Sequence, residues 1–136
     1  MATVSASLAE FVQRQLAAGV PADARHEAKR LLLNQLKASV GATGNPTVRI
    51  LHEWARKNAA GAAGSHVLWF GTETGPAQAA MVNGALFEVL DFHDTYIPCF
   101  MHAVSAVLPA VLALAEQRGS SRVAGTSPQP SQGPKY

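Results

Sequence analysis

Residues 58–117 are 60 consecutive positions with no lysine or arginine and only five acids, Glu73, Glu88, Asp91, Asp94 and Glu116. A very hydrophobic helix closes this stretch and runs directly into a polar tail, which suggests a core whose covering partner is absent. Its longest uncharged apolar run, 103–115, is shorter than the ~20 residues that cross a bilayer. It is therefore expected to pack as a core rather than enter a membrane. The flanks are basic: residues 1–57 carry eight Lys/Arg against four acids, residues 118–136 carry three with none, and the formal net charge is +2. The N-terminal cations alternate with acids along helix faces and do not cluster with aromatics, a pattern that argues against nucleic-acid binding.

The rest of the composition narrows the class. At 136 residues, 48% hydrophobic and 15% charged, the chain has the make-up of a single globular domain, neither disordered nor a coiled coil. Its one cysteine, Cys99, excludes an internal disulfide and a Cys-rich zinc cage. No basic segment leads into a short greasy one at the N-terminus, so a secretory signal is not expected and the location reads as cytoplasmic.

Local signals divide the chain into helices. Ser7 and Glu10 have the spacing of a capping box ahead of Leu8, Phe11, Val12 and Leu16, and Gly19 ends that helix. After Pro21, the row Ala28, Leu32, Leu36, Val40, joined by Leu31, predicts a second helix reaching Gly41. Asn45-Pro46 opens a third, with Val48, Leu51 and Ala55 on one face and Ile50 and Trp54 on a neighbouring one. Val67 to Phe70 is a short apolar run that reads as a strand without an identifiable partner. Gly75-Pro76 starts a fourth helix whose small face (Ala77, Ala80, Met81, Gly84, Ala85) is expected to be internal. A fifth runs from about His102 to Gln117, with Val104, Val107, Leu108, Val111, Leu112 and Ala115 expected to be buried and a kink expected at Pro109. In residues 119–136, ten of 18 are Gly, Ser or Pro, the composition of a disordered tail.

The polar residues with chemical potential fall between the last two helices, in Leu90 to His102. Asp91 and Thr95 would share a face if the fourth helix continued that far. His102 stands at the start of the fifth helix, where unpaired amides and the helix dipole favour an anion. Structural readings are open for the same residues. Asp91, Asp94 and Thr95 could end a helix and cap a turn, His93 could be a surface histidine, and His102 could simply start a helix. His93-Asp94 has the look of paired metal ligands, but further His and Asp ligands are missing, so no metal site is expected. Cys99 reads as a small hydrophobe and His26, His52 and His66 as flanking residues. The glycines at 61, 64, 71 and 75 do not have phosphate-loop spacing.

The string Met81-Val82-Asn83-Gly84-Ala85-Leu86, followed by Leu90-Asp91-Phe92-His93-Asp94-Thr95, resembles the signature of the MmgE/PrpD family, which includes 2-methylcitrate dehydratase and cis-aconitate decarboxylase. His102, the run from Val107 to Glu116, the helix containing Lys29-Arg30-Leu31-Leu32-Leu33, and Gly71-Thr72 ahead of Gly75-Pro76 fit the same pattern. The resemblance covers roughly residues 7–119. It departs from the family at His93, where an acid is usual, and at Ala103, where a proline is usual.

The resemblance implies an all-α fold: the N-terminal portion of the family's helical domain over 1–118, with about five helices and one short extended segment between the third and fourth. Family members are several times longer and add an α/β lid domain, so the chain reads as an N-terminal piece, truncated after Ser121. It further implies a cofactor-independent lyase acting on small di- and tricarboxylic acids, of the kind used in propionate catabolism, and a homodimer in the full-length family. For this piece it implies self-association or a complementing downstream chain. Asp91, Thr95 and His102 match family active-site positions: His102 as acid/base or carboxylate contact, Asp91 orienting it, and Thr95 donating to substrate. The family's further basic and tyrosine site residues have no equivalent here, so the chain alone is expected to be inactive. A separate reading, a helical module that binds another chain, stays open beside the enzymatic one.

Overall fold

The structure, a computed structural model, describes residues 3–59 and 64–119. Five α-helices and one two-stranded sheet follow in the order α1 (Val4–Ala18), α2 (Ala22–Ala42), α3 (Pro46–Lys57), β1 (Ser65–Val67), β2 (Thr72–Thr74), α4 (Pro76–Glu88) and α5 (Ala103–Gln117), with a one-turn 3-10 helix at Ile97–Cys99. The mostly helical class expected from the sequence is what the chain adopts. The expected tail lies outside the described residues beyond Gly119.

The chain divides after Arg30 into two compact units. In the first, α1 begins one turn earlier than the Ser7 box suggested, because the Thr3 hydroxyl accepts from the Ala6 amide at 3.2 Å and caps the helix. Gly19 ends α1 as expected, at φ 76 with its amide bonded to the Gln15 carbonyl. Leu8, Phe11, Val12 and Leu16 are exposed, and no α1 residue is buried.

The second unit holds the core of Ala42, Val48, Ala55, Val67, Val82, Leu86 and Phe87. The buried face of α2 is Gln35, Ala38, Ser39 and Ala42, with Leu32 and Leu36 half-buried beside it. A row of every fourth residue drifts about 40° per step around a helix of 3.6 residues per turn, so it cannot stay on one contact face. Val40 accordingly turns outward. Helix α3 starts at the Asn45-Pro46 pair, where Asn45 Oδ1 accepts from the Thr47 amide at 2.9 Å. It buries Val48 and Ala55 and leaves Ile50 and Trp54 exposed.

The extended segment has a partner after all. Strands β1 and β2 pair antiparallel, Ser65 with Thr74 and Val67 with Thr72, and Leu68 to Gly71 form the turn. Trp69 sits in that turn at φ 69, a region costly for a bulky side chain. Its indole NH is anchored to Ser39 Oγ at 2.9 Å. Asn83 of α4 holds the hairpin by two bonds of 2.9 Å: Oδ1 accepts from the Leu68 amide and Nδ2 donates to the His66 carbonyl. His52 stacks on Phe70 at 4.2 Å and reaches Thr72 Oγ1 at 2.7 Å, so it ties α3 to the hairpin rather than merely flanking it.

Helix α4 buries Ala79, Val82, Asn83, Leu86 and Phe87. The small face expected to be internal is the side left open: Ala77 and Met81 are exposed, and Ala80, Gly84 and Ala85 are half-buried. Helix α5 is continuous through Pro109 and buries Ser105, Pro109 and Ala113, while Val107 and Val111 point outward against expectation. Its contact stripe is made of short side chains, which lets it lie close to α4 and β1. There Ser65 Oγ donates to the Ala113 carbonyl at 2.7 Å.

Candidate active site

Helix α4 ends at Glu88, so Asp91 and Thr95 do not share a helical face. Asp91 instead turns the chain at φ 57, a left-handed conformation that an aspartate tolerates better than most residues. The Asn34 amide then holds the Phe92 carbonyl at 3.1 Å and fixes the path of the loop on α2. Further on, Tyr96 and Met101 form an antiparallel bridge around Ile97–Cys99, their backbones bonded at 2.8 and 3.4 Å. That bridge is why Thr95 and His102, the residues just outside it, face each other.

Three groups meet at the foot of α5. His102 Nδ1 lies 2.8 Å from the Asp94 carbonyl and 3.3 Å from Thr95 Oγ1. A carbonyl only accepts, so Nδ1 carries the proton and the neutral ring keeps its lone pair on Nε2. The His93 ring lies on the His102 ring, with centroids 3.8 Å apart and planes inclined by 34°. His93 Nε2 is 2.9 Å from Glu88 Oε1 and 3.4 Å from Asp91 Oδ1.

The surface reading open for His93 does not hold: its side chain is 2% exposed, that of Asp91 91%. Asp94 Oδ1 accepts from the Val104 amide at 3.3 Å, so Asp94 caps α5 and His102 makes no side-chain cap. Glu88 is held below its ordinary value of 4.5, chiefly by the Ser105 hydroxyl and then by His93, with partial burial opposing them. Ser105 has one proton to give, to that carboxylate or to the His102 carbonyl at 3.3 Å.

Three of these groups, Glu88, His102 and Ser105, border an open groove of 840 Å³ between α4 and α5. Glu88, His102 and Ser105 form its polar part, and Ala80, Met81, Gly84, Ala106, Pro109 and Ala110 line its apolar length. Of the residues singled out from sequence, Thr95 and His102 are brought together. Asp91 joins the cluster through His93, and the contact that orients His102 comes from the Asp94 carbonyl. Glu88 and Ser105 were not singled out; the visible hint was the acid–histidine alternation in Asp91-Phe92-His93-Asp94. His26 and His66 are exposed and take no part in the cluster. Cys99 is exposed at the groove's edge. Among the described residues, no group of three His, Cys, Asp or Glu is placed to hold a metal ion.

The profile of the MmgE/PrpD N-terminal domain matches residues 6–129, nearly the whole chain. The chain belongs to the MmgE/PrpD family. Three fungal relatives are similar to this MmgE/PrpD chain. A cis-aconitate decarboxylase of Aspergillus terreus (strain NIH 2624 / FGSC A1156) is 28% identical over 114 residues, 83% of this chain and 23% of its own length. The cis-aconitate decarboxylase-like protein oryM of Aspergillus oryzae is 28% identical over 120 residues, with the same coverage. Another cis-aconitate decarboxylase of Aspergillus terreus is 31% identical over 98 residues, 71% of this chain and 20% of its own length. The chain thus spans under a quarter of the length of these relatives. No solved structure matches it.

Proposed function

We propose that this MmgE/PrpD chain carries the proton-transfer half of a lyase site for small di- and tricarboxylic acids, the chemistry of a dehydratase or decarboxylase. One observation carries the reading: the Asp94 carbonyl, 2.8 Å from His102 Nδ1, leaves the Nε2 lone pair as the basic atom of a histidine that borders a substrate-sized groove. In dehydration, His102 Nε2 takes the proton next to a carboxylate, the pair of electrons of that carbon–hydrogen bond forms the double bond, and hydroxide leaves as the carbon–oxygen bond breaks, taking a proton from solvent to become water. In decarboxylation, the bond to the departing carbon dioxide breaks, its electron pair stays on carbon, and a proton drawn from solvent and passed on by His102 Nε2 replaces the lost group. Thr95 Oγ1 accepts part of the Nδ1 proton, so its own hydrogen is free to donate to a substrate carboxylate.

The charge count supports reading this half as lacking its anion clamp. A dianion or trianion needs cationic or amide donors, and residues 58–117 have no Lys or Arg. The α5 start offers only a partial charge, worth about 0.3–1 kcal/mol when exposed. The chain alone therefore binds substrate weakly and does not turn it over, because the transition state has no full clamp.

The test is a titration of ring-labelled protein with cis-aconitate. A saturable shift of the His102 ring nitrogens, reduced in Thr95→Val, is expected without product formation. An unmoved His102 would overturn the site; turnover of cis-aconitate or 2-methylcitrate that is lost in His102→Ala would overturn the inactivity. A second reading, a helical interaction module completed by a downstream chain, is favoured by α1, whose Leu8, Phe11, Val12 and Leu16 are all exposed. Co-expression with a downstream open reading frame tests it, and restored dehydratase activity would support the split enzyme.

A further inference from the structure

The basic atom of His102 depends on one carbonyl. Which nitrogen of a neutral imidazole carries the proton is set by the hydrogen bonds the ring makes, and in plain water the proton favours Nε2. Here the Asp94 carbonyl, 2.8 Å from Nδ1, draws the proton to Nδ1 instead. That carbonyl belongs to residues 89–95, a stretch of turn and coil between α4 and the Tyr96–Met101 bridge. Thr95 Oγ1, the other group near Nδ1 at 3.3 Å, is on the same stretch and moves with it.

Helix α2 holds this loop from outside. Asn34 Nδ2 donates to the Phe92 carbonyl at 3.1 Å, across 58 positions of sequence. A carbonyl only accepts, so the amide nitrogen of Asn34, not its oxygen, faces the loop. Seven residues further along the same face of α2, Gly41 lies against Leu90: a β-carbon at Gly41 would come within 3.2 Å of the Leu90 δ-methyl. The helix thus meets the loop on both sides of Asp91, whose φ of 57 turns the chain between the two contacts. Among the described residues, the other side-chain hydrogen bonds of the loop run to Glu88 of α4 or to His102 and Val104 at the start of α5. Asn34 alone ties it by a hydrogen bond to a third element.

We propose that Asn34 is a positioning residue of the His102 site: by holding the Phe92 carbonyl it keeps the Asp94 carbonyl on Nδ1, and so keeps the lone pair on Nε2. Released from Asn34, the Phe92 peptide is free to rotate, and Asp94 follows two residues later. A bond of 2.8 Å is lost once its atoms part by roughly 0.8 Å more. The proton then returns to Nε2 and covers the lone pair that proton abstraction needs. Asn34 does not line the groove and touches no reacting atom, so it acts through the loop alone. Its part in catalysis rests on the proton-transfer reading above; its hold on the tautomer does not.

The test reads the tautomer directly, from the ring nitrogen shifts of histidine-labelled protein in mildly alkaline solution, where imidazoles are neutral. In the wild-type chain the His102 proton is expected on Nδ1. Asn34→Asp keeps the size of the side chain and loses its donor, so it should convert most of the His102 signal to the Nε2–H form. Asn34→Ala, which removes the donor without adding a charge, should do the same and stands in if the aspartate variant loses its helical circular dichroism. Asn34→Gln offers a donor on a longer arm and should return the signal toward wild type. Gly41→Ala crowds Leu90, disturbing the packing of the same helix on the same loop without touching the Phe92 carbonyl, and should leave the tautomer as it is.

An Nδ1–H form that persists in folded Asn34→Asp or Asn34→Ala, even with lowered stability, overturns the role of Asn34 and leaves His102 as the base. A change of tautomer in Gly41→Ala as large as theirs does the same, since packing rather than the Asn34 bond would then set it. A wild-type ring already in the Nε2–H form overturns the site reading and the role of Asn34 together. A tautomer that follows Asn34 as expected, in a chain whose His102 is unmoved by cis-aconitate, overturns the site reading and leaves the positioning of the ring standing.

Discussion

The imidazoles of His93 and His102 lie 3.8 Å apart although nine positions separate them in the chain. One ring reads the acids and the other reads the groove: His93 bonds Glu88 and lies 3.4 Å from Asp91, while His102 bonds the Asp94 carbonyl. This relationship makes the buried His93 a support for His102. His93→Ala removes a ring and a hydrogen-bond donor together, and is expected to cost about 1–3 kcal/mol. His93→Phe keeps a ring against His102 and loses only the polar contacts, so it should cost less. Urea unfolding orders the two variants, and the His102 ring-proton shifts report the loss of the stacked neighbour in His93→Ala but not in His93→Phe.

The depressed Glu88 carboxyl makes a pH prediction with a definite sign. A carboxyl held below its ordinary 4.5 by Ser105 and His93 stabilises the fold in full above pH 4.5, and that contribution is lost as pH falls through the lowered value. Ser105→Ala removes the largest cause, so the Glu88 titration should move up toward 4.5, and the acid-side loss of stability should become shallower. Side-chain carboxyl chemical shifts follow the titration directly. An unchanged Glu88 midpoint in Ser105→Ala would show that the hydroxyl gives its proton to the His102 carbonyl instead.

What was legible in the sequence was what neighbouring residues decide among themselves. Asn45-Pro46 and Gly75-Pro76 open helices, and Gly19 closes one, because caps and fixed dihedrals act within a few positions. Which face of a helix is buried was less legible where nearly every residue is apolar. Along α5, any stripe reads as core, and the structure buries Ser105, Pro109 and Ala113 while Ala106 and Ala110 face the open groove. Thr95 and His102 were recognisable as a pair by family resemblance. The burial of His93 was not, because it depends on the Tyr96–Met101 bridge, a contact across a loop that no periodicity announces.

Asn83 shows why part of the family-like string Met81 to Leu86 concerns folding rather than chemistry. Its amide satisfies the Leu68 N–H and the His66 carbonyl at once. Asn83→Ala strands both groups and is expected to cost about 1–3 kcal/mol. Asn83→Asp keeps an acceptor for Leu68 but has no N–H for the His66 carbonyl, so it should fall between wild type and alanine. Amide exchange at Leu68 separates the two losses: fast in Asn83→Ala and protected in Asn83→Asp.

Gly84 tests how tightly α4 and α5 are packed. A stripe of small residues suggests two helices in contact with no room for a methyl, in which case any side chain at Gly84 would force them apart. The structure says otherwise. A β-carbon at Gly84 would have the Pro109 ring 3.9 Å away as its nearest neighbour, which is ordinary van der Waals contact. Glycine inside a helix costs about 0.5–1 kcal/mol relative to alanine, because the unfolded chain has more conformations to lose. Gly84→Ala is therefore expected to raise the unfolding free energy by about that amount, with an unchanged dependence on denaturant. Gly84→Leu puts a large side chain into the groove beside His102 and should not show that gain. A loss of stability in Gly84→Ala would mean that α4 and α5 lie closer than 3.9 Å allows, and that the groove is narrower than its 840 Å³.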